Sequence, residues 1–437
     1  MIELIAPFAA WGTYELLKKR RSYPLFPDSM NVQDYARHSI FMGLPGKGKT
    51  TLMMLMSTHC IQNGWSLIWI CCQGEAWKLV SMLPGEFIEH MVPFYPCGDR
   101  VLGYNPLMLK KHTEAEMDRV ASSVAATFKE QNTRSWGDEI QRAVTFAVKA
   151  VLIGERTPNL LQVWKLMHDE TYRSEVLESV TDPVLHEFFH SDYLKMSTAI
   201  RKIGSPLSNS TMLSVLSQDG GLDLLECMNS RRIVVADLDE EGMGPASKSM
   251  GALLLSGIRH ASSMRSERSQ PCMVCIDEWQ VFAGLAGESV RRLLELMRKK
   301  NMALCLAFHH TDQMPDDLKE SIWLAGNRFI FDPDPMDHSE LKAAFGEDWL
   351  KCQGLPDRSF LSQITLKGQR MAPIVRTMPE VHWLRTQQES LEVINQRCES
   401  FPTKEDCLDR ARRLQRARRP GAGEKKSKRS GAESFVL

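Results

Sequence analysis

The sequence lacks the features that mark secreted, membrane-spanning and fibrous proteins. Its 437 residues include eleven cysteines, but these form no dense framework of the kind that stabilises small disulfide-rich domains. No apolar run reaches the roughly 20 residues that a membrane-spanning helix needs, and no cleavable signal pattern is present. Hydrophobic residues make up 43% and charged residues 25%, which excludes wholesale disorder, collagen and coiled coil. We therefore expect a globular, cytoplasmic protein with a large apolar core.

Net charge is also absent, although the charges are unevenly distributed. The 54 basic and 54 acidic residues cancel. Residues 410–429, however, hold ten lysines and arginines against the single acid Glu424, so the rest of the chain is acidic. This basic tail could bind the phosphates of a nucleic acid or an anionic membrane, or could serve only to keep the protein in solution.

Most of the amino-terminal residues 1–17 are apolar, but about a dozen apolar residues are too few to span a bilayer. Four basic residues, 18–21, follow them. A buried first helix and a helix lying in a membrane interface are both compatible with this pattern. Peripheral contact with the cytoplasmic face of the inner membrane is therefore an open expectation.

Apolar strands alternate with helices in two parts of the chain, which predicts an α/β fold with a mainly parallel sheet. SIFMG (39–43) and WSLIWICC (65–72) are apolar throughout, as expected of strands covered on both faces. Between them, residues 113–218 have helical spacing and predict an all-helical insertion before the sheet resumes. The predicted segments are a leader (1–34), the first part of the α/β domain (35–112), the insertion (113–218), the second part (219–400) and a basic, partly disordered tail (401–437).

A glycine-rich turn between the first strand and its helix matches the phosphate loop of nucleotide-binding proteins, G-x-x-x-x-G-K-[ST]. Glycines let backbone N–H groups face a phosphate, and the start of the following helix favours an anion. The lysine would face the β- and γ-phosphates, and the first threonine would ligate Mg²⁺. We therefore expect ATP and Mg²⁺ to be bound by Gly43, Gly46, Lys47, Gly48, Lys49, Thr50 and Thr51.

A phosphate loop requires an acidic partner at the end of a second buried strand. MVCI (273–276) ends in Asp277 and Glu278, which makes this pair the best candidate. Asp277 would hold the magnesium, and Glu278 would polarise the attacking water. The similar strand that ends in Asp237 is followed by glycines, so we expect a loop there instead.

Three further residues are candidates for the same site. His309 ends the strand after the acidic pair, where it could sense the γ-phosphate. Arg37 precedes the phosphate loop, and Arg298 lies between the acidic pair and the strand of His309. Either arginine could complete the site of a neighbouring subunit.

Four passages in fixed order connect these motifs, and together they extend over roughly residues 35–380. The first passage follows the second strand, and the second leads into the strand before the acidic pair. The third contains the acidic pair with the helix and strand after it, and the fourth contains the next strand. In the sequence they read VPFYPCGDRVLGYNPL, GSPLSNSTMLSVLSQDGGLDLLECMNSRRIVVADLDEEGMG, CIDEWQVFAGL with LLELMRKKNMALCLAFHHTDQM, and AGNRFIFDPDPMD.

This ordered set resembles the type IV secretion coupling proteins, the VirD4/TraG/TraD group in the FtsK–HerA class of P-loop motors. The resemblance implies a RecA-like ATPase that forms a ring, usually a hexamer, with ATP between subunits. It also implies a channel for single-stranded DNA, a relaxase–DNA complex or a protein effector, and contact with components of the secretion channel. The helical insertion would be the all-alpha domain of the family, which faces substrates and adaptors.

The sequence departs from the family at three places. His309 stands where the family usually has Gln, and only Gly74-Glu75 remain of a D-P-K-G-E segment. The usual pair of amino-terminal membrane spans is missing. A translocation motor is the leading hypothesis, and a nucleotide-gated adaptor with little hydrolysis and a soluble HerA-like DNA-processing ATPase are the alternatives.

Overall fold

One nine-stranded sheet organises the molecule. A computed structural model describes Asp34 and residues 37–191, 197–381 and 383–416. The chain enters the sheet at its middle, because the first strand lies between the sixth and the seventh. The strands are β1 (Ser39–Met42), β2 (Ser66–Cys71), β3 (Met91–Phe94), β4 (Ile233–Asp237), β5 (Cys272–Ile276), β6 (Met302–Phe308), β7 (Asn327–Ile330), β8 (Ser359–Gln363), β9 (Thr365–Leu366), β10 (Gln369–Arg370) and β11 (Ile374–Thr377).

The sheet is parallel from β7 to β3 and antiparallel at one edge. Its order is β11-β8-β7-β1-β6-β5-β2-β4-β3, and β9 and β10 form a separate hairpin. β8 is antiparallel to both β7 and β11. Because seven strands are parallel, the loops after β1, β5 and β6 emerge at the same end of the sheet.

Both faces of the sheet are buried, as the unbroken apolar strands predict. Successive side chains point to opposite faces: Ile40 and Val274 belong to one core, whereas Phe41 and Cys275 belong to the other. The α/β class with a mainly parallel sheet and inserted helices is therefore confirmed.

Helices cover both faces. The helices are α1 (Lys49–Gln62), α2 (Trp77–Met82), α3 (Gly85–Ile88), α4 (Glu114–Glu130), α5 (Asp138–Gly154), α6 (Leu160–His168), α7 (Glu170–Leu177), α8 (Pro183–Ser191), α9 (Ser197–Leu207), α10 (Ser210–Leu216), α11 (Leu224–Asn229), α12 (Glu240–Met243), α13 (Pro245–Ser263), α14 (Gln280–Leu296), α15 (Asp316–Ile322), α16 (His338–Phe345), α17 (Gln387–Cys398) and α18 (Lys404–Arg416), with 3₁₀ turns at Thr133–Ser135, Met297–Lys300, Thr311–Gln313, Pro335–Asp337 and Gly346–Cys352.

Helices α4 to α10 lie between β3 and β4 in the chain and contain the residues of the predicted insertion. Polar side chains at their starts accept hydrogen bonds from the first helical turn, with Thr113, Asn159 and Asn209 each in this position. Helix α14 is interrupted at Ala286, whose φ of −138° is not helical. Beyond this break, Ser289 donates a 2.8 Å hydrogen bond to Glu130 of α4.

The basic tail begins with a packed helix. In α18, Cys407 and Ala411 are buried, and Lys404 Nζ donates to Thr211 Oγ1 at 2.7 Å. Lys165 Nζ donates to the carbonyl of Leu414 at 2.9 Å. Helix α18 is thereby fixed to the inserted helices, and the rest of the tail (417–437) lies outside the described residues.

The predicted leader helix also lies outside the described residues. Of the helices that the structure does describe, none combines the length and the apolar composition needed to cross a bilayer.

Candidate nucleotide-binding site

The segment Gly43–Thr50 forms a tight loop between β1 and α1. Gly43, Gly46 and Gly48 have φ values of 144°, 75° and 106°, a region that favours glycine. A Cβ atom at Gly43 would lie 1.9 Å from the carbonyl oxygen of Phe331. Glycine is therefore required at Gly43 by both the backbone and its neighbour.

Helix α1 begins at this loop with an uncapped amino terminus. Among the described residues, no side chain caps it and its first turn holds no acid. Its free N–H groups and its dipole therefore favour an anion. This arrangement fits a phosphate group.

Lys49 places a buried ammonium group beside the loop. It is 5% exposed, and its Nζ donates to the carbonyls of Gly43 (2.8 Å) and Leu44 (3.0 Å). Burial lowers the pKa of Lys49, and the charges of Glu278 and Asp277 oppose this shift. Because the partners of the ammonium are carbonyls and an imidazole, an anion in the loop would be a stronger partner.

Lys47 has a different role from Lys49. Its Nζ lies 3.2 Å from Asp332 and 3.0 Å from Asp357, beyond β7 and just before β8. The backbone of the loop is tied to the same region, since Leu44 N donates to the carbonyl of Asp332 and Arg358 N donates to that of Lys47. The side chain of Lys47 therefore braces the loop from outside.

Asp277 lies at the carboxyl end of β5, opposite Thr50. Its Oδ1 accepts hydrogen bonds from Thr50 Oγ1 (3.1 Å) and from the backbone of Glu278 (3.2 Å). Burial, assisted by the charge of Glu278, raises the pKa of Asp277 to about 6. A hydroxyl and a carboxylate in contact match the donors that Mg²⁺ prefers.

Glu278 follows with a left-handed backbone, φ 53°. Its Oε2 lies 3.0 Å from His309 Nε2 and also accepts from the side-chain amide of Gln280. Burial raises the pKa of Glu278, but the bonds from His309 and Gln280 outweigh burial and leave it below its usual range. Glu278 therefore carries its charge more readily than Asp277 does.

His309 connects Lys49 to Glu278. Its Nδ1 lies 3.0 Å from Lys49 Nζ, and its Nε2 faces Glu278. An ammonium can only donate and a carboxylate can only accept, so Nδ1 is the acceptor and Nε2 carries the proton. The three residues form a continuous chain from the phosphate loop to the acid.

The arginines lie elsewhere. Arg37 precedes β1, at the opposite end of the sheet from its own phosphate loop, and its Nε lies 3.9 Å from Asp34. Arg298 is in the 3₁₀ turn before β6, at the same end as Arg37, and its side chain lies outside the described part. The structure therefore brings neither arginine to the loop of its own chain.

Sequence patterns gave no signal for several contacts of this site. Gln280 and Asp332 lie in the passages that resemble the coupling proteins, but the sequence indicated no role for either, and Asp357 lies outside those passages. The two aspartates reach the loop only through the chain fold. The carboxylate of Asp237, at the end of β4, accepts hydrogen bonds from the backbone N–H groups of Gly74 (3.2 Å) and Ala76 (3.1 Å) and therefore stabilises the turn after β2.

The raised pKa of Asp277 predicts that the site costs stability in the absence of a cation. A folded-state pKa of about 6, above the ordinary 3.8, means that stability is lost as pH rises from about 4 to 6. Asp277→Asn should therefore raise the free energy of unfolding of the ligand-free protein by about 1–3 kcal/mol at pH 7.5. Urea unfolding at several pH values measures this, and a gain that is constant from pH 4 to 8 would contradict it.

This fold is that of RecA-like P-loop NTPases. Within that class the chain is similar to VirB4 of Thermoanaerobacter pseudethanolicus, at 13% identity and a TM-score of 0.57, covering 79% of this chain and 89% of VirB4. It is also similar to the plasmid coupling protein TrwB in complex with a non-hydrolysable ATP analogue, at 13% identity and a TM-score of 0.60, covering 80% of this chain and 87% of TrwB.

A further TrwB structure, in complex with ADP and Mg²⁺, matches at 13% identity and a TM-score of 0.58, covering 81% of this chain and 87% of TrwB. No family model and no curated protein sequence matches. At this identity the similarity is one of fold, and at that level the resemblance found in the sequence motifs is confirmed.

Proposed function

We propose that the protein is an ATP-hydrolysing motor of the type IV secretion and conjugation class, which couples hydrolysis to the recruitment and translocation of DNA–protein or protein substrates. The chain of contacts Lys49–His309–Glu278, beside the pair Thr50–Asp277, is the observation that carries this proposal. It joins a phosphate loop, a cation site and a general base at one end of a parallel sheet. The solved structures of TrwB in complex with an ATP analogue and with ADP and Mg²⁺ support the choice of ligand.

In this proposal the loop holds the phosphates of ATP. The backbone N–H groups from Gly43 to Thr51 surround them, including those of Gly46, Lys47 and Gly48, and the Lys49 ammonium neutralises their charge. Only the backbone of Lys47 takes part, because its side chain is held by Asp332 and Asp357.

Thr50 and Asp277 would hold Mg²⁺. When bound, the cation neutralises charge on the β- and γ-phosphates. Glu278 orients the attacking water and accepts its proton, and its lowered pKa means that the carboxylate is ionised and free to accept a hydrogen bond from that water. His309 keeps Glu278 oriented. Its Nδ1 contacts the Lys49 ammonium, so His309 loses this contact when Lys49 binds a phosphate instead.

The direct test is Mg²⁺-dependent release of phosphate from ATP by the wild-type protein, with and without single-stranded DNA. Hydrolysis stimulated by DNA supports a motor. Tight ATP binding without hydrolysis would instead support a nucleotide-gated adaptor, and it would overturn the proposed activity.

The proposal includes a ring in which the arginines act on a neighbouring subunit. Arg37 and Arg298 belong to the end of the sheet opposite the loop, where they could face the loop of the next copy. Mixing Lys49→Ala protein with Arg37→Ala or Arg298→Ala protein in equal amounts should restore activity at roughly a quarter of the sites. Those are the interfaces at which one subunit supplies an intact lysine and its neighbour an intact arginine. Native mass and phosphate release measure assembly and rescue.

Arg268→Ala is the matched control for this mixing experiment. Arg268 is exposed and precedes β5 at the same end of the sheet. The Arg268→Ala protein should hydrolyse ATP at the wild-type rate without mixing. Complete absence of rescue in stable mixed rings would exclude both arginines as residues acting in trans.

The inserted helices and the tail are the proposed substrate-facing parts, with secretion-channel components and a membrane surface as further partners. Because α18 is packed, the tail must be tested by two truncations. Removal of residues 417–437 deletes six lysines and arginines without touching α18. Basal hydrolysis should persist, whereas the salt dependence of single-stranded DNA binding should flatten by about 0.7 per lost phosphate contact.

Truncation after Thr403 is the comparison. It also removes α18 and exposes the surface that buries Cys407 and Ala411, so it should lower thermal stability. Unchanged binding to DNA and to anionic vesicles after the shorter truncation would exclude the segment 417–437 as a polyanion-binding element.

A further inference from the structure

Gln280 makes an unexpected contact with the proposed catalytic acid. Its side-chain amide donates to Glu278 Oε2, the same oxygen that His309 Nε2 contacts at 3.0 Å. Two donors thus converge on one carboxylate oxygen. Among the described residues none donates to the other oxygen, Oε1, so the carboxylate is held on one side only.

The direction of the Gln280 amide follows from chemistry. A carboxylate only accepts hydrogen bonds, so the NH₂ group faces Glu278 and the carbonyl faces away. That carbonyl oxygen is buried and has no hydrogen-bond partner in the described part of the chain. A buried acceptor without a partner costs stability, which an apolar side chain at Gln280 would avoid. The position therefore keeps a donor at the expense of stability.

The backbone fixes Gln280 in place. Trp279 is fully buried, and its backbone N–H donates to the carbonyl of Ala307 in β6 at 2.8 Å. Val281 N and Phe282 N then donate to the carbonyls of Glu278 (2.9 Å) and Trp279 (3.0 Å) and start α14. The amide thus projects from the first residue of a helix anchored to the strand of His309.

We propose that Gln280 is a positioning residue for ATP hydrolysis, which holds Glu278 Oε2 together with His309 so that Oε1 faces the attacking water. This inference rests on the proposed function and adds a residue to it. In the reaction, the water oxygen bonds to the γ-phosphorus while the bond from that phosphorus to the β–γ bridging oxygen breaks. The electron pair of the broken bond leaves on ADP, and the water proton passes to Oε1.

The test compares variants at Gln280 that differ in the donor. Gln280→Met keeps the length of the side chain but removes the N–H, so kcat should fall about 10- to 100-fold while the Kd for ATP stays within about twofold. Gln280→His retains an N–H at a similar reach and should recover most of kcat. Gln387→Met makes the same change at the exposed first residue of α17 and should behave as wild type.

The outcomes separate the possibilities. Wild-type kcat in Gln280→Met, or a loss that Gln280→His does not restore, would overturn the positioning role. If Gln280→Met melts early, Gln280→Glu preserves the shape, replaces the donor by an acceptor, and should lose at least as much kcat. If Glu278→Gln is inactive and Gln280→Met has a wild-type kcat, the role of Gln280 is rejected and the proposed function stands. If the wild-type protein does not hydrolyse ATP, the proposed function is rejected together with the role of Gln280.

Discussion

Glu278→Gln should bind ATP with wild-type affinity and hydrolyse it at least ~100-fold more slowly, because the substitution removes the base and keeps the phosphate loop. The amide has the same shape as the carboxylate and its oxygen can still accept from His309, so the site should remain assembled. Single-turnover phosphate release and equilibrium binding of a fluorescent ATP analogue measure the two effects separately.

Glu240→Gln is the matched control for this prediction. Glu240 follows the other strand that ends in acids, β4, and it is exposed beside Lys248 at 3.4 Å. The same chemical change there should leave hydrolysis unaltered. A wild-type rate in Glu278→Gln would show that another group accepts the proton.

Lys49→Ala should weaken ATP binding by at least about 100-fold, because it deletes a charge-assisted bond to the phosphates within a buried site. Lys47→Ala offers a control two residues away. The ammonium of Lys47 pairs with Asp332 and Asp357 outside the loop, so its loss should cost only a fewfold in affinity. Calorimetric titration with ATP and Mg²⁺ measures both constants.

The reverse order of effects would contradict the assignment of the two lysines. If Lys47→Ala abolished binding and Lys49→Ala did not, the brace formed by Asp332 and Asp357 would have to open when nucleotide binds. The free energy of unfolding of the Lys49→Ala protein, measured without ligand, shows whether this variant is folded.

The sequence predicted those parts of the site that depend on neighbours in the chain. The phosphate loop needs glycines at fixed offsets, and Asp277 and Glu278 follow directly from a buried strand. The position of His309 could also be predicted, because the carboxyl ends of parallel strands meet at one edge of a sheet. In the structure β6 lies between β1 and β5 and brings its carboxyl end beside both. Local pattern was sufficient to place these residues near one another, whereas their chemical roles stay predictions.

The contacts between distant segments could not be read in this way. Asp357 is separated from Lys47 by about 300 residues and reaches it only because β8 is antiparallel to β7. The direction of the Gln280 amide depends on the backbone turn at Glu278, for which no residue type was diagnostic. The docking of α18 likewise depends on a surface formed by inserted helices much earlier in the chain.

Helix α14 connects the inserted helices to Glu278 across an interruption. The first residue of this helix holds Glu278, and Ser289, beyond the break at Ala286, is bonded to Glu130. Ten residues of helix extend from the break to Leu296, about 15 Å. Glu278 and the inserted helices are therefore joined through one element made of two helical parts, and the joint between those parts lies between the two contacts.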